Sequence, residues 1–241
     1  MKMIQKYKKE IDAAYPFRTE LHAHTAPSSP CSRFCAETLA DSLIKEGIHA
    51  VALTNHFGPY HMQLFETKEA FIEQYLRDYH DLEIVAKKRG LTVLFGIELR
   101  FQENKNDYLV LGLEQSDLSR VYDVVDSGLS RFRADFAEKN ILILQAHPDR
   151  DGMVHADAAY LDGAEVFNLY SGYNPRTAVT AKWVQKENLP IIVGGSDLHH
   201  PGMEGYCLLR TQVCPTDAAE LIAILKSGDY ALEIGGSIVL P

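Results

Sequence analysis

The sequence predicts an α/β protein whose strands are mostly parallel and curl into a closed or nearly closed barrel. Three observations predict it. Short apolar, β-branched runs alternate with amphipathic segments about seven times along the chain. Several runs, Ile141-Leu-Ile-Leu144 and Ile191-Ile-Val193 among them, are apolar at every position, as strands covered on both faces are. No glycine-rich phosphate turn follows the first strand, a turn that a doubly wound open sheet usually carries. The 241 residues contain no linker, low-complexity run or internal repeat, so 1–241 reads as a single domain.

The predicted strands cover 17–24, 49–55, 92–99, 108–113, 141–146, 164–168 and 191–195. Between them lie helices with recognisable punctuation. The segment 36–46 places Leu39, Leu43 and Ile44 on one side and stops at Gly47. The longest helix, 67–89, is capped by Thr67, buries a stripe of Phe71, Tyr75, Leu82 and Val85, and ends at Gly90. Asn174-Pro175 reads as an N-cap with proline at the first helical position, opening a helix through Trp183. Thr216 or Asp217 caps a last helix that turns Leu221, Ile224 and Leu225 inward and stops at Gly228.

The net charge of −9 argues against nonspecific duplex DNA or an anionic membrane surface as a partner, because both call for basic faces. No segment approaches the roughly 18–20 apolar residues of a membrane helix. The first ten residues, MKMIQKYKKE, are basic and polar with no apolar run behind them, unlike a signal peptide. Four cysteines in a chain this large read as free thiols, and a cytoplasmic location is expected.

The residues that carry chemistry gather at the carboxyl ends of the predicted strands. His22 and His24 end the first strand two residues apart, so both imidazoles face one point. His56 follows the second, Glu98 ends the third, His147 the fifth, and Asp197 with His199 the seventh. In a parallel barrel these ends open onto one face, where sites are built. Imidazole nitrogens and carboxylate oxygens are the donors of zinc, manganese and iron centres. Seven candidates exceed what one ion needs and point to two or more.

The ordered set Leu-His-Ala-His-Thr, Leu-Thr-Asn-His, Gly-Ile-Glu, Ala-His-Pro-Asp-Arg and Gly-Ser-Asp-Leu-His resembles the PHP (polymerase and histidinol phosphatase) family, from His22 to His199. The resemblance implies a distorted (β/α)7, TIM-like barrel that binds two to three divalent ions (zinc, manganese or iron). It also implies hydrolysis of a phosphoester. On its pattern His22, His24, Glu98 and Asp197 hold a first ion, Glu98 bridges to a second bound by His147, and His56 with His199 hold a third. Arg150 is expected to fork a phosphate oxygen pair. Glu165 and Asn168 are expected to support the ligands from behind, and His200 to be an exposed loop histidine.

Three departures from the family pattern stand out. The place of a His or Asp about eight residues after His22 holds Pro30 or Cys31. No histidine occurs between Glu98 and His147, where Asp107 and Tyr108 are the nearest polar residues and are not assigned as ligands. The usual Asp of the second motif is Asn55. The expected function is hydrolysis of a small-molecule phosphomonoester or phosphodiester by a metal-activated water, with loops 57–66 and 200–205 choosing the substrate and nucleic acid unexpected as a partner. The alternatives are a metal-assisted C–N or C–O hydrolase and a non-catalytic scaffold. Cys31 lies near the mouth, but no base is nominated beside it, which disfavours a covalent route.

Overall fold

The computed structural model describes residues 3–241. An outlying helix α1 (Met3–Ala14) leads into β1 (Phe17–Ala23), followed by α2 (Ala36–Lys45), β2 (Ala50–Leu53), β3 (His56–Phe57), α3 (Pro59–Met62) and α4 (Lys68–Lys87). Next come β4 (Thr92–Arg100), β5 (Asp107–Leu111), α5 (Leu118–Val124), α6 (Gly128–Asp135), β6 (Leu142–Ala146) and β7 (Gly163–Asn168). The chain closes with α7 (Thr177–Glu187), β8 (Ile191–Gly195), β9 (Cys207–Thr211), α8 (Ala218–Ser227), β10 (Ala231–Ile234) and β11 (Ser237–Val239). All seven predicted strands are present. The last three strands, α1 and the short helices of 118–135 were not expected from the sequence.

The strands form one curled sheet in the order β11-β10-β9-β1-β2-β4-β5-β6-β7-β8, with β3 paired to β4. The sheet is mixed, which corrects the expectation of mostly parallel strands. β1–β2, β2–β4, β6–β7 and β7–β8 are parallel, whereas β4–β5, β5–β6, β1–β9 and β9–β10 are antiparallel. The physical reason lies in connection length. Only residues 101–106 join β4 to β5, too few for the helical crossover a parallel neighbour needs, so β5 returns as a hairpin partner. Arg100 is therefore opposite Asp107 in the register. The start of β5, not its end, lies at the mouth.

The two flanks of the sheet meet where β8 runs out. Leu198 donates its N–H to His22 O at 2.8 Å and accepts from His24 N at 3.1 Å, stitching the segment after β8 onto β1. Ser196 Oγ donates to Cys207 O at 3.3 Å and accepts from Cys207 N at 3.2 Å, which spans the gap to β9. Glycine makes this closure possible. A Cβ on Gly194 would lie 2.3 Å from Cys207 Sγ, and one on Gly195 would lie 2.5 Å from Glu165 Oε1 and 2.6 Å from His22 Cβ.

Along each strand, alternation sorts the inner face into a floor and a mouth. On β4, Leu94 belongs to the floor and Glu98, four residues on, to the mouth; on β5, Leu111 and Leu109 precede Asp107 in space. The floor is sealed by Leu221, Ile222 and Leu225 of α8. Helix starts follow the expected chemistry at Thr67, which accepts from Ala70 N at 3.1 Å, and at Asp217, which accepts from Glu220 N at 2.8 Å. The exception is α7. Asn174 Oδ1 accepts from Arg176 N at 3.0 Å, and Arg176 adopts a left-handed backbone (φ 46°), so the helix starts at Thr177 instead of Pro175.

Gly195→Ala is expected to lower stability by about 1–3 kcal/mol through overpacking. It should also displace His22, so thermal unfolding and metal content should both fall. A variant with unchanged melting and metal content would contradict the closure described.

Candidate metal centre

The mouth gathers His22, His24, His56, Glu98, His147, Asp197 and His199, every one of the expected ligand candidates. His22 Nε2 is 3.3 Å from Glu98 Oε1 and 3.4 Å from Asp197 Oδ1; His24 Nε2 is 3.5 Å from Glu98 Oε2 and 3.4 Å from Asp197 Oδ1. His147 Nε2 approaches Glu98 Oε1 to 2.9 Å, and His56 Nδ1 lies 2.6 Å from Glu98 Oε2. All but His56 are buried, and His56 is half-buried.

The imidazoles are held in one orientation by their rear nitrogens. His22 Nδ1 sits 3.0 Å from Glu165 Oε1, a pairing that puts the proton on Nδ1 and leaves Nε2 bare. His24 Nδ1 faces Ser29 Oγ at 3.1 Å, and that hydroxyl itself donates to Asn55 Oδ1 at 3.0 Å. His199 Nδ1 is 2.9 Å from the carbonyl oxygen of Asp197. Glu165 Oε2 also accepts from His147 N at 3.0 Å and from Asn168 Nδ2 at 2.9 Å. Glu165 and Asn168 thus brace the ring from behind, the arrangement that tunes imidazole ligands in metal sites. His147 (φ 31°) and Asp197 (φ 52°) both lie in the left-handed region, strain of order 1–3 kcal/mol that only a packed surrounding sustains.

Whether these residues suit metal ions is answered by what they leave unpaired. His22 Nε2, His24 Nε2, Glu98 Oε2 and Asp197 Oδ1 are buried without a well-formed hydrogen bond, Glu98 Oε2 meeting His56 Nδ1 only as an ion pair. Such atoms cost roughly 1–3 kcal/mol each in a dry interior. All four converge on the same space, and together with their neighbours they form overlapping three-residue sets: His22/His24/Glu98, His22/His147/Asp197, Glu98/Asp107/His147 and His24/His56/His199. A cation satisfies every one of these lone pairs. The donor set fits divalent ions.

Protons take the place of that charge otherwise. Burial works against charge on His22, but Asp197, Glu165 and Glu98 outweigh it and hold its pKa well above the usual value. His24, buried beside His199 and His56, is pushed well below. Burial also opposes His56 and His199, yet Glu98 lifts the first to about 10 and Asp197 lifts the second to about 9. Burial would raise Glu98 and Asp197, but the imidazoles around them hold both carboxyls low.

Several placements went beyond or against the sequence reading. Asp107, left unassigned, is buried at the mouth because β5 runs backwards; it takes Arg100 Nε at 2.6 Å and lies 3.8 Å from His147 Nε2. His61 of α3, five residues after His56 of β3, stacks on the His56 ring at 4.6 Å and has no role in the sequence reading. With Tyr60, Arg100 and Asp107 it lines a cavity of about 200 Å³ beside Glu98. Cys31 does have neighbours of the right kind, which corrects the earlier expectation: its thiol reaches the His199 and His56 side chains, and these overcome the effect of burial to lower its pKa to about 6. His200 is half-buried, not exposed, with Nε2 3.2 Å from the Tyr170 hydroxyl. Asn55 is turned away from the ions' space; Oδ1 accepts from Thr25 N at 2.7 Å and fastens the loop after β1.

Arg150 reaches the rim. Its guanidinium pairs with Asp197 Oδ2, donates to Asn168 Oδ1 at 3.0 Å, and lies 4.8 Å over the Tyr173 ring and 5.6 Å over Tyr170. It therefore orients Asp197, whose other oxygen, Oδ1, is the unpaired one.

An α/β sheet curled around a histidine- and carboxylate-lined mouth defines the class: a barrel-like fold with donor clusters for divalent ions at its strand ends. The PHP domain model matches residues 20–236, and the chain belongs to the PHP domain family. A DNA polymerase III PolC-type protein of Clostridium perfringens is 28% identical over 175 residues, which is 71% of this chain and 10% of that protein. The chain thus spans about a tenth of the length of that relative. Among solved structures, a two-domain protein of Bacteroides vulgatus containing a predicted PHP-like metal-dependent phosphoesterase superposes with a TM-score of 0.62 at 15% identity, over 92% of this chain and 66% of that one. The lesion-specific endonuclease PfuEndoQ of Pyrococcus furiosus gives 0.56 at 14% identity, over 88% of this chain and 56% of that one. At those identities the likeness establishes the fold. No helix among the described residues is long and apolar enough to cross a membrane.

Because His22, His56 and His199 are all held above the usual imidazole range and carry protons at neutral pH when no ion is bound, loading divalent ions should expel protons, up to about three per chain when every site fills. The apparent affinity should rise as the pH is raised toward 9, which a pH-indicator titration and calorimetry would record; a pH-independent affinity would contradict it. Glu165→Gln should weaken ion binding about 10–100-fold with the fold intact, measured by calorimetry and circular dichroism.

Proposed function

We propose that the protein is a metal-dependent phosphoesterase that hydrolyses a phosphomonoester or phosphodiester on a small molecule, with Arg150 contacting the phosphoryl group. The observation that carries this reading is the convergence of four buried donor atoms without well-formed hydrogen bonds beside an arginine already turned toward the same carboxylate. Bound divalent ions, of the zinc, manganese or iron kind, would supply Lewis acidity and lower the pKa of a water at the mouth.

The chain's own residues do the rest. Asp197 and Glu98 provide the negative charge that seats the cations. His22 and His24 offer bare Nε2 atoms and His147 turns its Nε2 to Glu98; Glu165 keeps the His22 nitrogen bare and Ser29 does the same for His24. Arg150, its side chain still partly exposed and backed by Tyr170 and Tyr173, keeps N–H donors at the rim for phosphate oxygens. The 200 Å³ cavity beside Glu98, walled by Tyr60, His61 and Arg100, has room for part of a small substrate.

A nucleic-acid phosphodiester is the second reading, favoured by the polymerase and the endonuclease that this chain resembles. The net charge of −9 favours the small substrate, because a polyanion gains affinity from basic faces. Chelation and, separately, His22→Ala are each expected to abolish hydrolysis of an aryl phosphate and of mononucleotides. Activity that survives both would overturn the proposal. A single-stranded oligonucleotide cleaved faster than any small phosphoester would transfer it to the second reading, and fewer than one ion per purified chain would favour a scaffold.

A further inference from the structure

The loop after β1 brings a sulfur atom to the outer edge of the metal centre, and the loop is fastened on both sides of it. Ser29 Oγ accepts from His56 N at 2.9 Å and faces His24 Nδ1 at 3.1 Å. Ser32 Oγ donates to His24 O at 2.9 Å, and Arg33 N donates to His199 O at 2.8 Å. Between these anchors Cys31 places its thiol against the side chains of His56 and His199. Those two rings turn their Nε2 atoms toward each other at 3.4 Å. Two imidazole nitrogens facing at that separation repel whether both are bare or both protonated, unless a cation takes the place of the protons. His24 Nε2, fully buried and without a partner, points into the same cluster.

We propose that Cys31 is a thiolate ligand of the ion held by His56 and His199, making this outer position a nitrogen–sulfur site with a preference for zinc. The inference rests on the metal-binding reading above and deepens it. As the sulfur–metal bond forms, the thiol proton leaves to solvent, so no oxidant or further reactant is required. The sites differ in donor softness. Glu98, Asp107 and His147 offer two carboxylates and one imidazole, a set that suits manganese or magnesium as well as zinc. A thiolate with two imidazoles selects softer ions, and zinc takes such ligands in tetrahedral geometry. The chain would then hold unlike ions in adjacent places, with the softer one at the rim where substrate enters.

The full chain, stripped by a chelator and reloaded with cobalt(II), reads the sulfur directly. A sulfur-to-metal charge-transfer band in the near ultraviolet is expected for the native chain and for Cys35→Ala, and is expected to be absent from Cys31→Ser. In the Cys35→Ala background, which removes the other exposed thiol, zinc should slow labelling of Cys31 by a disulfide reagent at least about tenfold, the lower end of what even an indirect support contributes to a metal site. Zinc titration of Cys31→Ser should show one ion fewer, or one bound correspondingly more weakly, with unchanged circular dichroism. Ions bound normally without the band, or with Cys31 labelled equally fast, would overturn the sulfur ligand and leave the phosphoesterase reading standing. Binding of no divalent ion at all would overturn both.

Discussion

Everything in this molecule is arranged around buried charges and lone pairs gathered at the mouth of the curled sheet. Glu98 and Asp197 are buried among imidazoles, and four of the facing atoms have no well-formed hydrogen bond. A folded domain is stable by only about 5–15 kcal/mol in all. Buried polar atoms left without hydrogen bonds, at roughly 1–3 kcal/mol each, are a large fraction of that margin. Such a cluster persists because protons on His22, His56 and His199 partly balance it, and a cation would balance it fully.

The scaffold serves that cluster through close backbone approach. Gly194 and Gly195 let the end of β8 pack against β9 and β1, where any side chain would strike Cys207, Glu165 or His22. Behind the ring, Glu165 ties three strands together by meeting His22 of β1, the His147 backbone after β6 and Asn168 of β7. Glu20, fully buried and raised to about 7 by that burial, accepts from His22 N and Ser196 N and so couples the two histidine-bearing segments. Below, an apolar floor sealed by α8 keeps the polar layer at the mouth.

The reversal of β5 changes the chemistry available there. A chain that continued in parallel would present the far end of β5 at the mouth; the hairpin presents Asp107 instead, clamped by Arg100 and close to His147. An aspartate thus stands where no histidine occurs in the sequence between Glu98 and His147. Likewise the loop after β1 brings Cys31 to His56 and His199. Near both positions that looked like gaps in the family pattern stand side chains of different hardness, the Asp107 carboxylate and the Cys31 thiol. The side chains at the mouth are therefore richer in carboxylates on the β5 side and in imidazoles at the outer edge.

By itself the sequence determined the alternation of strands and helices, most helix ends, and the seven expected ligand candidates, because these are local properties. Apolar periodicity marks an element, caps mark its ends, and i, i+2 spacing at a strand end aims two side chains at one point. Membership of the PHP domain family was likewise legible from five short motifs in order. The direction of β5, the nearness of Cys31 to two imidazoles, the stacking of His61 and the late start of α7 belong to the tertiary structure alone. They depend on which strand pairs with which, on a six-residue connection too short for a crossover, and on a single backbone reversal at Arg176. Residues distant in the chain become neighbours only when the sheet closes, and no local pattern encodes that closure beyond the two glycines that permit it.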